Sequence, residues 1–283
     1  MTLLQTAPKT LMTGILLGES PRWHKGRLWF ADWVAEKLYA LDEAGNSEVM
    51  ANIASLPFSI DWLPSGELLV VNAREKRLLR QQADGSFATH ADLGGLSEYG
   101  FNEIVVDGRG NTYLNNINFD FPDGEFRPGF IALLSVDGTL RQVADGLAFP
   151  NGMAVTPDNR TLICAESFNG NLTSFDIAAD GSLSNQRLWA KLEGQGGDGI
   201  CLDADGAVWV GAGPRCARVR EGGEVLATVE LDRMCFACML GGADGKTLFM
   251  VAAEWTGSID ITAATGKVFT ARVSSPAAGY PRS

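Results

Sequence analysis

The chain has 283 residues, 46% hydrophobic and 20% charged, which is long and apolar enough for a sizeable core and too apolar for disorder. With 23 Lys and Arg against 34 Asp and Glu the net charge is −11, and so acidic a surface repels phosphate backbones and anionic headgroups, so neither nucleic acid nor membrane is expected as a partner. No apolar run approaches the roughly 18 residues of a membrane span, and the opening MTLLQTAPKTLMTG lacks the apolar core of a secretory signal, so a cytoplasmic location is expected.

In chain order, one pattern recurs: an apolar run, a turn rich in Gly, Asp, Asn or Pro, and a second apolar run. It appears as SPRWHKGRLWFAD (20–32), SIDWLPSGELLVVN (59–72), EIVVDGRGNTYLNN (103–116), GMAVTPDNRTLICAES (152–167), GICLDADGAVWVGAG (199–213) and CMLGGADGKTLFMVAAE (238–254). Each predicts a β-hairpin. A weaker strand pair follows each one: 38–50, 77–90, 130–144, 172–190, 216–231 and 258–273. Four strands per unit, repeated six times over nearly the whole chain, predict an all-β fold, a six-bladed β-propeller with four-stranded antiparallel blades forming a single domain over residues 1–283. Residues 14–17, ahead of the first hairpin, are placed to supply the outermost strand of the last blade and close the ring. No segment has sustained helical periodicity, so almost no helix is expected.

Register turns the repeat into a prediction about the axis, because a residue at a fixed offset occupies a fixed place in the ring. Eight residues before the turn residues Gly110, Asn159 and Gly206 stand Asn102, Asn151 and Asp198. The first unit has a turn one residue shorter, and seven back from Gly26 stands Glu19; the other two units carry Phe58 and Ala237. The first strand of a blade lines the channel, so four polar residues are expected at one mouth. Such residues also cap turns, but their common offset favours a shared site. Glu19, Asn151 and Asp198 offer oxygen ligands alone, which suits a hard divalent cation.

The stretches GESPRW (18–23), FNEIVVDGRGNTYL (101–114), FPNGMAVTPDNRTL (149–162), DGICLDADGAVWV (198–210) and GSIDI (257–261) resemble those of the senescence marker protein, gluconolactonase and regucalcin family. The resemblance runs the length of the chain. It implies a propeller holding one divalent cation, with Ca²⁺ favoured and Mn²⁺, Mg²⁺ or Zn²⁺ as alternatives, and a small-molecule lactone as substrate. Its metal ligands fall on Glu19, Asn151 and Asp198, and its substrate-facing Asn on Asn102. Sugar-binding members often carry Arg where this chain has Gly100, and Asp where it has Glu103.

The expected activity is hydrolysis of a sugar-acid lactone or related small lactone, with the cation polarising the carbonyl and Asp198 as general base. Asn102, Glu103, Asn116 and Asn118 are the expected substrate contacts. The loops between second and third strands, carrying Asp32, Trp33, Asn72, Asn116 to Asp120, Glu166 and Glu254, are expected to form a polar rim, with 115–129 folding over the mouth as a lid. Two alternatives share the site: hydrolysis of an organophosphate-type ester, and non-catalytic binding of calcium or another ligand. The two histidines, His24 and His90, are expected to be structural or solvated, which disfavours a Ser-His-Asp mechanism. The five cysteines are expected to be reduced, with Cys235 and Cys238 in the core, and the seven Trp are expected to be mostly core. A closed ring leaves little free sheet edge, so no oligomer is required.

Overall fold

A computed structural model of the chain describes residues 4–5, 7–194, 196–258 and 261–281. Ile259 and Asp260, within the GSIDI stretch, lie outside the described residues. No helix occurs among the described residues, and accordingly none is long and apolar enough to cross a membrane.

The protein is an all-β, six-bladed propeller, and its strands follow the repeat units in order. Blade one is Gly18–His24, Arg27–Asp32, Lys37–Leu41 and Ser47–Asn52, and blade two is Phe58–Trp62, Leu68–Asn72, Arg77–Gln81 and Phe87–Asp92. Blade three is Ile104–Val106, Thr112–Asn116, Gly129–Leu134 and Leu140–Leu147; blade four is Pro150–Val155, Thr161–Glu166, Asn171–Ile177 and Leu183–Lys191. Blade five is Ile200–Asp203, Val208–Gly211, Arg215–Val219 and Val225–Glu230. Blade six takes three strands from the C-terminal region, Met234–Gly241, Thr247–Ala253 and Gly266–Arg272, and its outermost from the other end of the chain, Lys9–Ile15, paired antiparallel with Gly266–Arg272. That closure joins the two ends of the chain, with the closing strand starting five residues earlier than the sequence placed it.

Two short strands were not anticipated. Leu4–Gln5 runs parallel to the outer strand of blade five, and Ala277–Ala278 pairs with its inner strand at the end remote from the predicted ligands. The C-terminal segment crosses that far end, where Pro276 O accepts from Ala204 N (2.8 Å), Ala277 N donates to Gly245 O (2.9 Å) and Tyr280 O accepts from Val155 N (2.8 Å). The segment thereby ties together the far ends of blades four, five and six.

The second strands of the blades read as unbroken apolar runs because each blade is sandwiched. Side chains alternate across a strand, and here each face meets a different neighbour. In blade three, Ile104, Val106, Leu114 and Leu134 pack with Leu69, Val71 and Leu78 of blade two. The intervening residues Val105, Tyr113, Ile131 and Leu133 pack with Met153, Val155, Leu162 and Cys164 of blade four. Each Leu, Ile or Phe fully buried this way contributes about 1.5–3 kcal/mol. Cys201, Cys216, Cys235 and Cys238 lie in the cluster shared by blades five, six and one, and all five cysteines are buried, free thiols. His24 stacks on Trp62 with ring centroids 4.1 Å apart, and burial, with Lys25 adding to it, pulls its pKa down to about 4.

Candidate functional site

Close approach of the inner strands brings the axial residues together. A Cβ on Gly152 would stand 2.6 Å from Asp198 O, and one on Gly199 would stand 2.4 Å from the Ala237 side chain, so glycine at both places lets blades four, five and six converge. The inner strands are also irregular at this end. Blades one and four each carry an extra residue, between Glu19 and Arg22 and between Pro150 and Met153. Bulges of this kind re-aim side chains, and here they stand beside Glu19 and Asn151. Asn102 and Asp198 sit just ahead of their strands, each tied to the second strand of its blade: Asn102 N donates to Asn115 O and Asp198 N to Gly211 O, both at 2.9 Å.

Glu19, Asn102, Asn151 and Asp198 all line one cavity of about 570 Å³ at this mouth. Asn151 Nδ2 donates to Ser167 Oγ (3.3 Å), whose hydroxyl donates to Gly197 O (2.9 Å), coupling blade four to the segment that carries Asp198. Asn115 spans the next joint, donating from Nδ2 to Asn151 O (2.5 Å) while its Oδ1 accepts from Glu103 N (3.3 Å). The Asn102 carboxamide makes no hydrogen bond among the described residues. Asp198 Oδ1 is buried with no hydrogen-bond partner.

Negative charge accumulates here. Burial pushes the Glu19 carboxyl well above the usual carboxylate range, with the charges of Asp198 and Glu103 adding to it and the Ser20 N–H and Arg22 opposing. Asp198 is pushed up to about 8, first by burial and then by the charge of Glu103. Among the described residues no three of His, Cys, Asp and Glu form a metal-holding group; the candidate set is two carboxylates and a carboxamide. It nevertheless fits a hard divalent cation, since every donor is oxygen, two can be anionic, and one carboxylate oxygen is buried without a partner.

Glu103, Asn116 and Asn118 do not line the cavity. Glu103 points beneath it, where Oε1 accepts from Arg22 Nη2 (2.9 Å) and from Ile104 N (2.8 Å). Asn116 Nδ2 donates to Tyr99 O (2.9 Å) and Gly100 O (3.0 Å), and Asn118 Nδ2 donates to Pro128 O (3.0 Å). Asn116 belongs to a structural series at the end of the second strands. Asp32 accepts from Leu16 N and Leu17 N (3.0 and 3.1 Å), Asn72 from Glu75 N (2.9 Å), and Glu166 from Ala148 N (2.6 Å). All four are buried. Three of them satisfy the backbone that enters the inner strand of the same blade, which must be paired once buried. The expected polar rim is therefore largely scaffold; Trp33, Ile117, Phe119 and exposed Asp120 are the members of that set on the wall.

Two features escaped sequence reasoning. One is the buried network under the floor. Ser20, at φ 48°, accepts from Ile60 N (3.0 Å) and donates to Glu103 Oε1 (3.4 Å), while Arg22 Nε stands 4.0 Å from Asp61 Oδ1. A Ser-Pro-Arg run at a strand start was the available signal. The other is a group of phenylalanine rings at the mouth, Phe119, Phe121, Phe126, Phe149 and Phe168, in mutual contact. The FDFPDGEF segment (119–126), dense in Phe, was its signal. Trp33 and Trp255 also stand on the cavity wall rather than in the core.

Asp61 makes one property of the network measurable. Burial pushes its carboxyl up from an ordinary 3.8 to about 6, against the pull of Arg22 and the N–H groups of Val106 and Trp62. The folded value lies above the unfolded one, so its stability contribution is full below about 3.8 and is lost as pH rises through about 6. Asp61→Asn is therefore expected to gain stability relative to the parent between pH 4.5 and 7.5, read from urea midpoints. A difference unchanged with pH contradicts this.

Comparison with known proteins bears on the family and the fold. The family model described as the SMP-30/gluconolactonase/LRE-like region matches residues 17–254. The chain is similar to regucalcin of Xenopus laevis, 26% identical over 250 residues covering 84% of this chain and 83% of that one. It is also similar to the pentonolactonase XacC of Haloferax volcanii, 25% identical over 210 residues covering 72% and 69%. The fold matches that of the calcium-binding protein regucalcin from Agrobacterium tumefaciens with a TM-score of 0.80 at 21% identity, over 98% of this chain and 97% of that one.

Proposed function

Because the chain belongs to the SMP-30/gluconolactonase/LRE-like family, which includes lactonases, we propose that it hydrolyses a small lactone using one divalent cation held by Glu19, Asn151 and Asp198. The observation that carries this reading is the convergence of those three oxygen donors on one cavity with Asp198 Oδ1 buried and unpartnered. Ca²⁺ is the favoured ion, in keeping with the calcium-binding structural relative, and Mn²⁺, Mg²⁺ and Zn²⁺ are the alternatives. When bound, the cation supplies Lewis-acid polarisation of the carbonyl and lowers the pKa of water.

The protein groups do the rest. Asp198 takes a proton from the water that attacks the acyl carbon and returns it to the departing ring oxygen. The acyl C–O bond of the ring breaks, a hydroxy acid forms, and at neutral pH that acid releases one proton. Glu19 and Asn151 hold the centre, with Asn151 braced by Ser167 and Asn115. Asn102, its carboxamide uncommitted, donates a hydrogen bond to a substrate oxygen.

The test is proton release at constant pH from aldonolactones, γ-lactones and a phosphotriester, using chelated protein resupplied separately with Ca²⁺, Mn²⁺, Mg²⁺ or Zn²⁺. Cation-dependent lactone turnover, abolished in Glu19→Ala, is the expected result. Turnover of the phosphotriester alone assigns the site to the other ester, and tight cation binding without turnover makes it a binding site.

A further inference from the structure

We infer that the substrate is a neutral lactone or ester bearing an aryl or comparably bulky apolar group, not a polyhydroxylated sugar lactone; this rests on the hydrolytic reading above and narrows its substrate class. The evidence is the chemistry of the cavity wall above the polar floor. Phe119 and Phe121 come from the loop between Asn116 and Gly129, and Phe149 and Phe168 from blade four. Their rings meet with centroids 5.2 Å apart for Phe121 and Phe149 and 4.7 Å for Phe149 and Phe168. The opposite wall adds Trp33, Phe236 and Trp255, the last two in edge contact at 5.6 Å.

Two details mark this surface as built for a ligand. Phe149 has φ 65°, a left-handed conformation that is costly for a bulky side chain, and it sets the ring among its neighbours at the mouth. Phe126 and Phe168 are 47% and 53% exposed, and among the described residues they are the exposed aromatic side chains. Phe168 lines the cavity, and Phe126 packs on Phe168 and Phe119 with ring centroids 5.6 and 5.8 Å away.

The same wall has little to offer a sugar. Gly100 is packed so that a Cβ would stand 2.6 Å from the Ala73 side chain and 2.7 Å from its carbonyl, so no polar side chain can reach in from that position. Arg74 is paired with Glu36 at 3.0 Å, Trp33 Nε1 donates to Phe58 O at 2.6 Å, and the Ser167 hydroxyl is spent on Gly197 O. Beyond the four floor residues, the remaining polar groups on the wall are Tyr99, exposed Asp120, the Trp255 indole N–H and the Cys235 thiol, which donates to Ala237 O. Several ring hydroxyls would be stripped of water and left unpartnered, whereas an aryl group would exchange water for aromatic contact. With carboxylates on the floor, an anionic substrate is disfavoured as well.

The experiment uses the full chain supplied separately with Ca²⁺, Mn²⁺, Mg²⁺ or Zn²⁺ and compares dihydrocoumarin, unsubstituted δ-valerolactone and D-glucono-δ-lactone. Alongside, calorimetry measures binding of 2-tetralone, the carbocyclic counterpart of dihydrocoumarin that cannot be hydrolysed. The expected order of kcat/KM is dihydrocoumarin, then δ-valerolactone, then gluconolactone, with about 10-fold or more between first and last. Phe168→Ala and Phe121→Ala, each checked for an unchanged thermal midpoint, are expected to lower kcat/KM for dihydrocoumarin about 10-fold more than for δ-valerolactone and to weaken 2-tetralone similarly. Fastest turnover of gluconolactone, equal loss on all three lactones, or no binding of 2-tetralone overturns the inference while leaving hydrolysis standing. Binding of 2-tetralone that weakens in both variants, with no lactone turned over, supports the apolar ligand and overturns hydrolysis instead.

Discussion

Asp198→Asn is expected to lower kcat/KM for the best lactone by about 10³-fold while raising the thermal midpoint of the cation-free protein by several degrees. Both effects follow from one buried carboxylate. As general base, Asp198 must accept a proton that a carboxamide of the same shape cannot take, and such a role is worth about 10²–10⁴ in rate. Without a cation the same group is a burden: it is desolvated, it repels Glu19 and Glu103, and its Oδ1 has no partner. A neutral amide removes the repulsion without leaving a cavity. The opposing changes are the signature of a residue retained for chemistry at the expense of stability. Calorimetry in chelator and in excess Ca²⁺ separates them, because a cation that binds only the folded protein raises its midpoint by mass action, and the variant is expected to gain less from Ca²⁺ than its parent. Full activity in Asp198→Asn with cation bound contradicts its assignment as base.

Arg22→Met is expected to destabilise the protein by about 3–5 kcal/mol, because it leaves buried carboxylates without their cation. Arg22 is 4% exposed, with Nη2 2.9 Å from Glu103 Oε1 and 2.7 Å from Ile104 O. It is the positive charge that opposes the desolvation of both Glu19 and Asp61. Methionine fills much of the same volume, so the loss reports charge rather than packing. Adding Glu103→Gln should return a large part of it, since the neutral amide still accepts from Ile104 N and no longer needs a counter-charge. Urea denaturation of both single variants and the double gives the coupling. Additive losses would show that Arg22 and Glu103 are not energetically linked.

Legibility in the sequence divides along the range of the interactions. The hairpin turns are local, set by Gly, Asp, Asn and Pro within a few residues, and the offset from those turns places Glu19, Asn102, Asn151 and Asp198 at one channel mouth, where they line one cavity. The network beneath them was not legible, because its partners are far apart in sequence: Ser20 reaches Ile60 and Glu103, and Asp61 reaches Val106. Nor was the fate of Asp32, Asn116 and Glu166. A polar residue at a strand end reads alike whether it faces solvent or a buried backbone N–H or C=O, and the difference lies in the path of the segment that enters the blade.

The sequence by itself determined the architecture and the floor of the site. Apolar runs at a repeated spacing can bury both faces only by stacking blade on blade, and a constant register places equivalent residues at equivalent heights on the axis. The tertiary structure alone decided the chemistry of the walls. Phe119 and Phe121 belong to blade three's loop, Phe149 and Phe168 to blade four, and Phe236 and Trp255 to blade six. They face one cavity because six blades close into a ring, a condition no local pattern encodes.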